Sequence, residues 1–429
     1  MKRSLAILTT LVLAISLLLS GTAMAEEKET LVMLMWGTTS SQEQLRDLIF
    51  ANNPELAAKM DIEFVIAGSS DMDTAEKFRL SLLSGDYVAD IVMLNSIEVT
   101  EFADQNCFVD CSDIIEPNKD QLLPSALECC YYGDNCVGIS QSLKVGLWYY
   151  NKTMFDEVGI NPNEIENVDQ LIEAGLKLQE EYPESNMLHW GKTSCPDLIL
   201  DAWANSDARI FDEDGNYVFN TDPAIRAVLE DVKKMKDAGI VGPISSWTPE
   251  WYAGHASRQI ASTMCQSWFS TFGESLVSDG TTDEWAVALQ PKLGLATERT
   301  GLTQAGAQML LIPTTAKNVE LAKEYMSFWL TYAGGYEITS KLGSAPIRYD
   351  VFEQFIDQPH PTWGESYYTV AKYAGETAGR PGFHGPKSTL EMQIIKPYVV
   401  QYLNDELDLD TMLDTCNNDL EMQLTNGLY

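Results

Sequence analysis

A series of mostly apolar runs that alternate with helical patterns constrains the fold more than any other feature of the sequence. Leu31 to Trp36, Ile62 to Ile66 and Ile91 to Leu94 are each long enough for one strand. Residues with helical apolar spacing separate these runs, and the second helical segment ends at Gly85. Continuous apolar strands between helices are typical of a parallel sheet that is covered on both faces. The pattern therefore predicts an α/β fold.

A passage between two globular units is expected near the middle of the first half of the chain. Lys144 to Tyr150 is apolar and aromatic enough for a buried strand, and Asn151-Lys152 interrupts it. Thr153 to Val158 then has the pattern of a short helix that Gly159 closes. A chain of 429 residues is also too long for one ordinary core. We therefore expect two lobes, with a crossing at this strand.

The N-terminus has the pattern of a secretory signal peptide. Lys2-Arg3 precedes an apolar run from Leu5 to Leu19, and Ala23-Met24-Ala25 follows as a cleavage site. The run is shorter than the roughly 20 residues of a membrane-spanning helix, although a retained N-terminal anchor is the alternative. Thr22 stands where a lipoprotein signal needs a cysteine. We expect residues 1–25 to be removed and the remainder to be exported to the periplasm or the extracellular side.

The charge of the chain excludes several classes of partner. It has 63 acidic and 28 basic residues, which give a formal net charge of -35 at pH 7. Such a surface repels nucleic acid and anionic lipid, so no nucleic-acid partner is expected. A phosphorylated or polyanionic ligand is also disfavoured, unless a local basic pocket compensates. At 45% hydrophobic and 10% aromatic residues, the composition is that of a globular chain.

The eight cysteines leave two interpretations open. Five of them lie between Cys107 and Cys136, and Cys195, Cys265 and Cys416 are scattered. An even number in an exported chain favours disulfides, and buried free thiols are the alternative. A zinc site is disfavoured, because no C-x-x-C pair occurs and the four histidines lie far from the cysteine cluster in sequence. We therefore expect disulfides or free thiols, with no metal and no cofactor.

The second half of the chain contains two clear helix signals and one turn. Asn167 is placed to cap a helix whose apolar residues, with Leu176 among them, are expected to be buried. Asp222-Pro223 opens a second amphipathic helix that Gly239 stops. Asp212 to Gly215 resembles part of a calcium loop, but it lacks one oxygen ligand and the distal glutamate. A hairpin turn explains this segment better.

The sequence contains aromatic residues suited to sugar binding but no catalytic signature. It has no G-x-S-x-G, H-E-x-x-H, P-loop or G-x-G-x-x-G motif, and chance pairs among so many acids cannot support a glycosidase. Trp36, Trp203 and Trp268 each end an apolar segment, where α/β sheets present ligands. A sugar ring offers an apolar face for stacking, although most tryptophans pack in cores. Trp268 departs most from core packing, because polar residues flank it.

Five segments, in order along the chain, resemble motifs of the extracellular solute-binding proteins that feed sugar ABC transporters, the group that contains maltose-binding protein. They are LLSGDYVADIVMLNS, FADQNCFVDCSDII, LWYYNKTMFDEVGINP, AGHASRQIASTMCQSWF and IPTTAKNVELAKEYMSFWLT. The third is the most specific, because it is similar to the family's LYYNKDLFEEAGI-x-P. The order and spacing of the segments extend the resemblance over nearly all of the exported chain.

The resemblance implies a type II periplasmic-binding-protein-like fold of two α/β lobes, with a ligand cleft between lobes joined by a multi-strand hinge. It implies an N-terminal lobe of residues 26–143 plus 292–345 and a C-terminal lobe of residues 144–291 plus 346–429. In such a fold the ligand contacts both lobes only when the hinge is closed, so binding favours the closed form.

The resemblance also implies which residues line the cleft. By position, the candidate ligand-binding residues are Trp36, Ser40, Asn95, Trp203, Trp268, Gly306 and Arg348. Trp268 falls on the tryptophan that stacks on sugar in many members. Lys144 lies near a position where some members have an acid, and Cys265 and Gln266 replace small residues, so the identity of the ligand stays open.

The implied function is that of a monomeric carrier, not an enzyme. It captures a sugar or oligosaccharide and hands it to the permease subunits of an ABC importer. One alternative is a binding protein for another solute, such as a polyamine, which needs carboxylates in the cleft, or glycerol phosphate, which needs basic groups. The other is a secreted carbohydrate-active enzyme, which needs a fixed pair of acids.

Overall fold

The computed structural model describes residues 28–103, 105–271, 273, 282–331, 345–382 and 384–425. The expected signal peptide, residues 1–25, lies outside the described residues. Across the part of the chain that is described, no helix is long and apolar enough to span a bilayer.

Strands and helices alternate along the chain and are numbered separately in chain order. The strands are β1 (Glu29–Met35), β2 (Met60–Ile66), β3 (Ile91–Asn95), β4 (Tyr131–Tyr132), β5 (Asn135–Cys136), β6 (Gly138–Leu143), β7 (Gly146–Asn151), β8 (Leu188–His189), β9 (Val241–Gly242), β10 (Ser262–Gln266), β11 (Trp285–Ala288) and β12 (Ala307–Leu311). The helices are α1 (Ser40–Asn52), α2 (Pro54–Lys59), α3 (Asp71–Ser84), α4 (Ser96–Ala103), α5 (Ser112–Ile115), α6 (Pro124–Cys130), α7 (Lys152–Val158), α8 (Val168–Glu181), α9 (Asp197–Asn205), α10 (Pro223–Asp237), α11 (Pro249–Ala256), α12 (Val319–Thr331), α13 (Tyr349–Phe355), α14 (Tyr367–Thr377), α15 (Ser388–Leu403) and α16 (Leu409–Leu420).

Five strands form the larger sheet in the order β2-β1-β3-β12-β6. β1 runs parallel to β2 and β3, which confirms the prediction for the first three strands. β12 runs antiparallel to β3 and β6, so the sheet is mixed, a feature that the pattern of the first three strands did not predict. β12 is antiparallel because the chain re-enters the sheet at the end where β6 finishes. The first residue of β12, Ala307, pairs with the last residue of β6, Leu143.

The smaller sheet has the order β10-β7-β11, and both outer strands run antiparallel to β7. Successive side chains of β7 enter two different hydrophobic cores. Leu147 and Tyr149 pack in the core that also contains the larger sheet, whereas Trp148 and Tyr150 pack in a core with α8, α9, α10 and α15. Because both faces of β7 are buried, its apolar run does not alternate with polar residues.

The passage between the two sheets, called the junction below, consists of Lys144, Val145, Ser96 and the returning residues 305–307. The predicted strand from Lys144 to Tyr150 is found as β7, two residues later at its start. The backbone N of Lys144 donates to Gly306 O at 2.8 Å, and Ser96 Oγ donates to Ala305 O at 2.9 Å. Gly306 has φ +64, and a Cβ there would lie 2.2 Å from Ser96 Oγ. The two connections between the sheets therefore pass each other where only glycine fits.

The helix signals were mostly confirmed. Asn151 caps α7, which ends at Gly159 in the left-handed conformation, and the Asn167 side chain caps α8. Helix α10 follows Asp222 and buries its apolar face, as predicted. Leu176 of α8 is 45% exposed, so the expectation that it is buried was wrong. It lies five residues after the buried Leu171, which is about 140° around the helix from the packed face.

The segment from Asp212 to Gly215 is a turn, as predicted. The Asp212 carboxylate accepts hydrogen bonds from the backbone N of Asp214 at 3.0 Å and of Asn216 at 2.8 Å. Phe211 and Tyr217 pair on either side of it. The Asp212 carboxylate thus stabilises the turn by accepting hydrogen bonds from its backbone.

All eight cysteines are free thiols, and Cys195 is half-buried while the other seven are buried. Of the two interpretations left open by the sequence, the structure therefore has the free thiols. Burial raises the pKa of Cys107 to about 11 and that of Cys130 to about 12, so both thiols stay protonated at neutral pH. Within the described residues, no three side chains of His, Cys, Asp or Glu come together to hold a metal ion.

Gly306→Ala should destabilise the protein more than Gly133→Ala does. The two glycines have φ of 64 and 59, so alanine strains the backbone by a similar amount, roughly 1–2 kcal/mol. A Cβ at Gly133 meets nothing within 4 Å, whereas one at Gly306 meets Ser96 Oγ and Pro381 Cδ. Urea unfolding of both variants would measure the difference, and equal losses of stability would contradict the crowding at the junction.

Candidate functional site

Four of the predicted site residues lie at the carboxyl edge of the parallel strands. Trp36 follows β1 and Asn95 ends β3, while Ser40 begins α1 after the same loop as Trp36. Ser40 is exposed, Trp36 is half-buried and Asn95 is buried. Gly306 lies at this edge because it precedes the antiparallel β12, and it contributes space rather than a side chain. Parallel sheets present ligands at this edge.

Two carboxylates that the sequence did not single out hold Asn95. Its Nδ2 donates to Asp71 Oδ2 at 2.6 Å, and its backbone N donates to Glu98 Oε2 at 2.7 Å. Both acids lie in the first turn of a helix, α3 and α4 respectively, where the helix dipole favours negative charge. Burial, and after it the charge of Asp71, raises the pKa of Glu98 well above its ordinary value. Glu98 therefore retains its proton more readily than an exposed glutamate.

Lys144 brings a buried ammonium group to the same region. The residue is 9% exposed, and burial lowers the pKa of its side chain to about 8. The negative charge of Asp71 acts in the opposite direction. Its backbone groups are used at the junction, where the N bonds to Gly306 and the O accepts from the Thr303 hydroxyl.

Trp203, predicted to contact the ligand, is a core residue. It is fully buried, and its ring packs edge-on against Phe219 with centroids 5.7 Å apart. Its Nε1 donates to Ile225 O at 3.2 Å, so its one polar group is satisfied within the core. The side of α9 that carries Trp203 packs on α10. The structure therefore places this tryptophan away from the candidate site.

Helix α9 instead supplies two acids, Asp197 and Asp201, which lie one turn apart. Asp201 Oδ1 accepts from the backbone N of Gln304 at 3.0 Å, and burial raises the pKa of Asp201 to about 7. Burial also raises the pKa of Asp197, which the positive charge of Lys396 lowers and the negative charge of Asp71 raises further. Asp71 and Asp197 each line a space that Lys396 also lines, so the N-termini of α3 and α9 lie near the same lysine.

Trp268 forms the inner half of a stacked pair of tryptophans. It is half-buried, and its Nε1 donates to Gln266 Oε1 at 3.2 Å. Its ring stacks on Trp247 with centroids 5.3 Å apart and an interplanar angle of 28°. Trp247 is 42% exposed and was not among the predicted residues. Polar residues flank Trp247 as they flank Trp268, so the same sequence signal could have found it.

Arg348 is not brought to this region. Its guanidinium forms a pair of hydrogen bonds with Asp350, at 2.9 and 2.8 Å, and also donates to Leu330 O at the end of α12. The residue is 8% exposed and forms a backbone bridge with Leu122. Arg348 therefore holds the start of α13 against the larger sheet's helices.

A groove and a smaller cavity, together called the cleft below, lie beside Trp247 and three of these acids. A groove of about 620 Å³ runs between the loop before α9 and one side of α15. Its lining comprises Thr193, Ser194, Cys195, Pro196, Asp197, Ser246, Trp247, Lys396, Pro397, Val400 and Gln401. An adjoining cavity of about 60 Å³ shares Lys396 with the groove and is bordered by Asp71, Glu98 and Thr389.

The cleft combines the two chemical features that a sugar requires. Aromatic faces stack on the apolar side of a pyranose or furanose ring, and carboxylates, amides and ammonium groups bond its hydroxyls. Another hollow, of about 660 Å³, lies by Glu29 and Lys59 at the opposite end of β1 from Trp36. No aromatic residue lines that hollow, so it lacks the stacking surface.

The profile of the family described as bacterial extracellular solute-binding protein matches residues 39–336 of the chain. An arabinooligosaccharide-binding protein of Bacillus subtilis is 22% identical over 283 residues, which cover 65% of this chain and 64% of that protein. The chain thus spans less than two thirds of the length of this curated relative.

Solved structures share the fold over nearly the whole chain. The sugar-binding protein MalE from Xanthomonas citri superposes with a TM-score of 0.74 at 13% identity, covering 92% of this chain and 98% of that one. An ABC transporter associated binding protein from B. animalis subsp. lactis, in complex with β-1,6-galactobiose, gives a TM-score of 0.73 at 14% identity, with 92% and 97% covered. These neighbours are type II proteins of two lobes, which confirms the expected α/β fold class.

Asp201→Asn should change how stability depends on pH. The folded chain keeps a proton on Asp201 up to a pKa of about 7, whereas the unfolded chain releases it near 3.8, so this group makes stability fall as pH rises between these values. The asparagine variant loses that dependence and should gain stability relative to the wild type between pH 5 and pH 8.

Urea unfolding at both pH values measures this gain, and Glu180→Gln, at an exposed position of α8, is the matched control. A difference between Asp201→Asn and the wild type that stays constant with pH would contradict the buried, protonated state of Asp201.

Proposed function

The chain belongs to the family of bacterial extracellular solute-binding proteins, and we propose that it is the solute-binding component of an ABC importer. In this proposal it captures a sugar or oligosaccharide outside the cytoplasm and delivers it to a membrane permease. It acts as an exported monomer after loss of residues 1–25, and it needs no cofactor or metal. The family is one of exported binding proteins, so the solute is bound and released without chemical change.

The observation that carries the proposal is the tryptophan pair beside buried hydrogen-bonding groups. Trp247 and Trp268 stack at one side of the cleft, and Gln266 connects Trp268 to Asp201 at 3.3 Å. Aromatic rings and side-chain acceptors in one cleft suit ring-shaped, hydroxyl-bearing ligands better than flat or fully apolar ones.

Two lobes around the cleft supply the proposed mechanism. We assign residues 26–143 plus 292–345 to the N-terminal lobe and 144–291 plus 346–429 to the C-terminal lobe. Asp71 and Glu98 then approach the ligand from the first lobe, and Asp197 and Trp247 from the second. A ligand that contacts both lobes makes more contacts in the closed form than in the open form. This difference in binding shifts the hinge equilibrium toward closure.

The names of similar proteins suggest which sugars to test first. One relative is an arabinooligosaccharide-binding protein, and one structural neighbour holds β-1,6-galactobiose. Both are short neutral oligosaccharides. A neutral ligand also suits a cleft in which Lys396 offsets part of the acidic charge.

A polyamine is the second candidate, because three acids border the cleft and a fourth lies next to its lining. Asp71, Glu98 and Asp197 line the cleft, and Asp201 accepts a hydrogen bond from the backbone of Gln304, which also lines it. Two observations weigh against it: burial raises the pKa of three of these acids, and Lys396 lines both parts of the cleft. Glycerol phosphate is disfavoured because Asp71, Glu98 and Asp197 outnumber Lys396 in the lining.

A carbohydrate-active enzyme is disfavoured by the position of the acids. Glycosidases need two carboxyl groups roughly 5 Å or more apart on either side of the scissile bond. Asp71 and Glu98 instead both accept hydrogen bonds from Asn95, and the charge of Asp71 raises the pKa of Glu98. Incubation with oligosaccharides should therefore give saturable binding without turnover.

Arabinobiose and arabinotriose should raise the melting temperature of the protein, whereas spermidine and glycerol 3-phosphate should not. A ligand at 100 times its dissociation constant stabilises the folded state by about 2.7 kcal/mol. Differential scanning fluorimetry with these compounds, maltose and β-1,6-galactobiose measures the shift. If spermidine alone stabilised the protein, the proposed ligand would be a polyamine and not a sugar.

A sugar that stabilises the protein should also make it more compact. Ligand contacts on both sides of the cleft require the lobes to approach, since the two connections at the junction are the pivot. Small-angle X-ray scattering with and without a saturating sugar measures the radius of gyration, and an unchanged radius at saturation would contradict hinge closure. Size-exclusion chromatography of the same samples controls for dimer formation.

A further inference from the structure

We infer that the smaller part of the cleft, the cavity of about 60 Å³ that Thr389 borders, is a subsite for the exocyclic hydroxymethyl group of the bound sugar. This inference rests on the proposed function and adds a selectivity to it. Sugars that carry a hydroxymethyl group should bind well, whereas pentopyranoses, which lack that group, should bind weakly. The observation that points to the subsite is a buried hydroxyl whose hydrogen bond is not used.

The hydroxyl in question belongs to Thr389, and among the described residues it has no hydrogen-bond partner. The residue is 5% exposed and lines the cavity. Buried polar groups are nearly always hydrogen-bonded, because an unpaired one has lost the bonds that water made to it in the unfolded chain. A hydroxyl can both donate and accept. A ligand hydroxyl in the cavity would therefore pair with Thr389.

The start of α15 holds Thr389 in a fixed position beside the cavity. Ser388 Oγ, one residue earlier, donates to Ile97 O in the first turn of α4 at 3.1 Å. The buried carboxylate of Glu391, two residues later, accepts from the backbone N of Gly385 at 2.9 Å. The segment that leads into the helix is thus tied on both sides of Thr389. The hydroxyl is held in place before a ligand arrives.

The cavity takes its lining from both of the assigned lobes. Asp71 and Glu98 come from the N-terminal lobe, whereas Thr389 and Lys396 come from the C-terminal lobe. A group that enters the cavity therefore contacts both lobes at once. This is the kind of contact that favours the closed form over the open one.

The size and lining of the cavity suit a hydroxymethyl group. A water molecule needs roughly 10–15 Å³, so a cavity of about 60 Å³ has room for a group of a few heavy atoms but not for a sugar ring. Met72, Ile97 and Met392 contribute apolar side chains to the lining, next to the polar Thr389 and Lys396. The methylene of a hydroxymethyl group can contact the apolar side chains, while its hydroxyl bonds to the polar ones.

Thr389→Val should separate binding from stability. Valine has nearly the shape of threonine, and the lost hydroxyl makes no bond, so the unliganded protein should be as stable as the wild type or more stable. The dissociation constants for sugars should rise about tenfold, which is the loss expected for one hydrogen bond. Thr389→Ser retains the hydroxyl and should retain most of the affinity.

Thr411→Val is the matched control, because Thr411 lies in the first turn of α16 as Thr389 lies in that of α15. The Thr411 hydroxyl is already used, since it donates to Asp408 Oδ2 at 2.7 Å. This variant should lose some stability and keep its affinity. Urea unfolding without ligand measures the stability of all variants. Isothermal titration calorimetry on the full exported chain, with arabinotriose, maltose and β-1,6-galactobiose, measures their affinities.

Xylotriose tests the selectivity, because its pyranose rings lack the hydroxymethyl group that the other three sugars carry at the non-reducing end. The wild type should bind xylotriose at least about tenfold more weakly than the best of those three. Thr389→Val should leave the affinity for xylotriose unchanged, since this sugar places no group in the cavity.

The outcomes separate this inference from the function on which it rests. Unchanged affinity of Thr389→Val for the three sugars would overturn the subsite alone and leave the cavity to water. Xylotriose bound as tightly as the best of the three would overturn the hydroxymethyl assignment alone. Absence of wild-type binding to all four sugars would overturn the proposed function and this inference together.

Discussion

The structure depends on the junction, where the chain leaves the larger sheet and returns to it at the same edge. Lys144 donates its backbone N–H to Gly306 O, and Ser96 Oγ both donates to Ala305 O and accepts from Ala307 N. These bonds tie the outgoing and returning segments to the first residue after β3. The junction therefore decides where β12 enters, why it runs antiparallel, and why the acids at the ends of α3 and α4 lie beside a connection between the sheets.

The burial of charge at this point is the main electrostatic feature of a strongly acidic chain. Burial raises the pKa of Glu98 and Asp201 and lowers that of Lys144, so each group moves toward its neutral form. The surface charge of -35 is thus not continued at full strength into the cleft. A cleft with weakened charges and many donors and acceptors suits neutral hydroxyl groups, which need hydrogen bonds rather than ion pairs.

Much of the fold could be predicted from the sequence because it depends on local apolar patterns. The strands before Asn95 and the helix that follows Asp222 have apolar spacings that match the secondary structure found in the fold. The reversal of β12 could not be predicted, since it follows from the path of the chain between two sheets. The predictions that Trp203 contacts ligand and that Leu176 is buried failed for a related reason. A pattern shows that a face is apolar, but not which of its residues the neighbouring elements cover.

The candidate site was harder to predict, because its residues come together from distant loops. Asp71 and Asp197 are ordinary helix-start acids in the sequence, and only the fold places each of them at a space that Lys396 also lines. Trp247 carried the same polar-flanked signal as Trp268, yet its stacking on Trp268 joins residues on either side of β10. The family resemblance indicated the edge of the sheet and the inner tryptophan, and the stacking of the outer one on it became apparent only in the fold.

The tryptophan pair is also part of a larger aromatic cluster that reaches the strand after the junction. Trp247 packs on Trp251. The ring centroids of Trp251 and Phe269 lie 5.8 Å apart, and those of Phe269 and Tyr149 of β7 lie 4.9 Å apart. Close-packed rings of this kind move together, because separating any two of them would lose van der Waals contacts. The stacking surface is therefore rigidly connected to β7, and the proposed closure leaves bending to the short connections at the junction rather than to the aromatic side of the cleft.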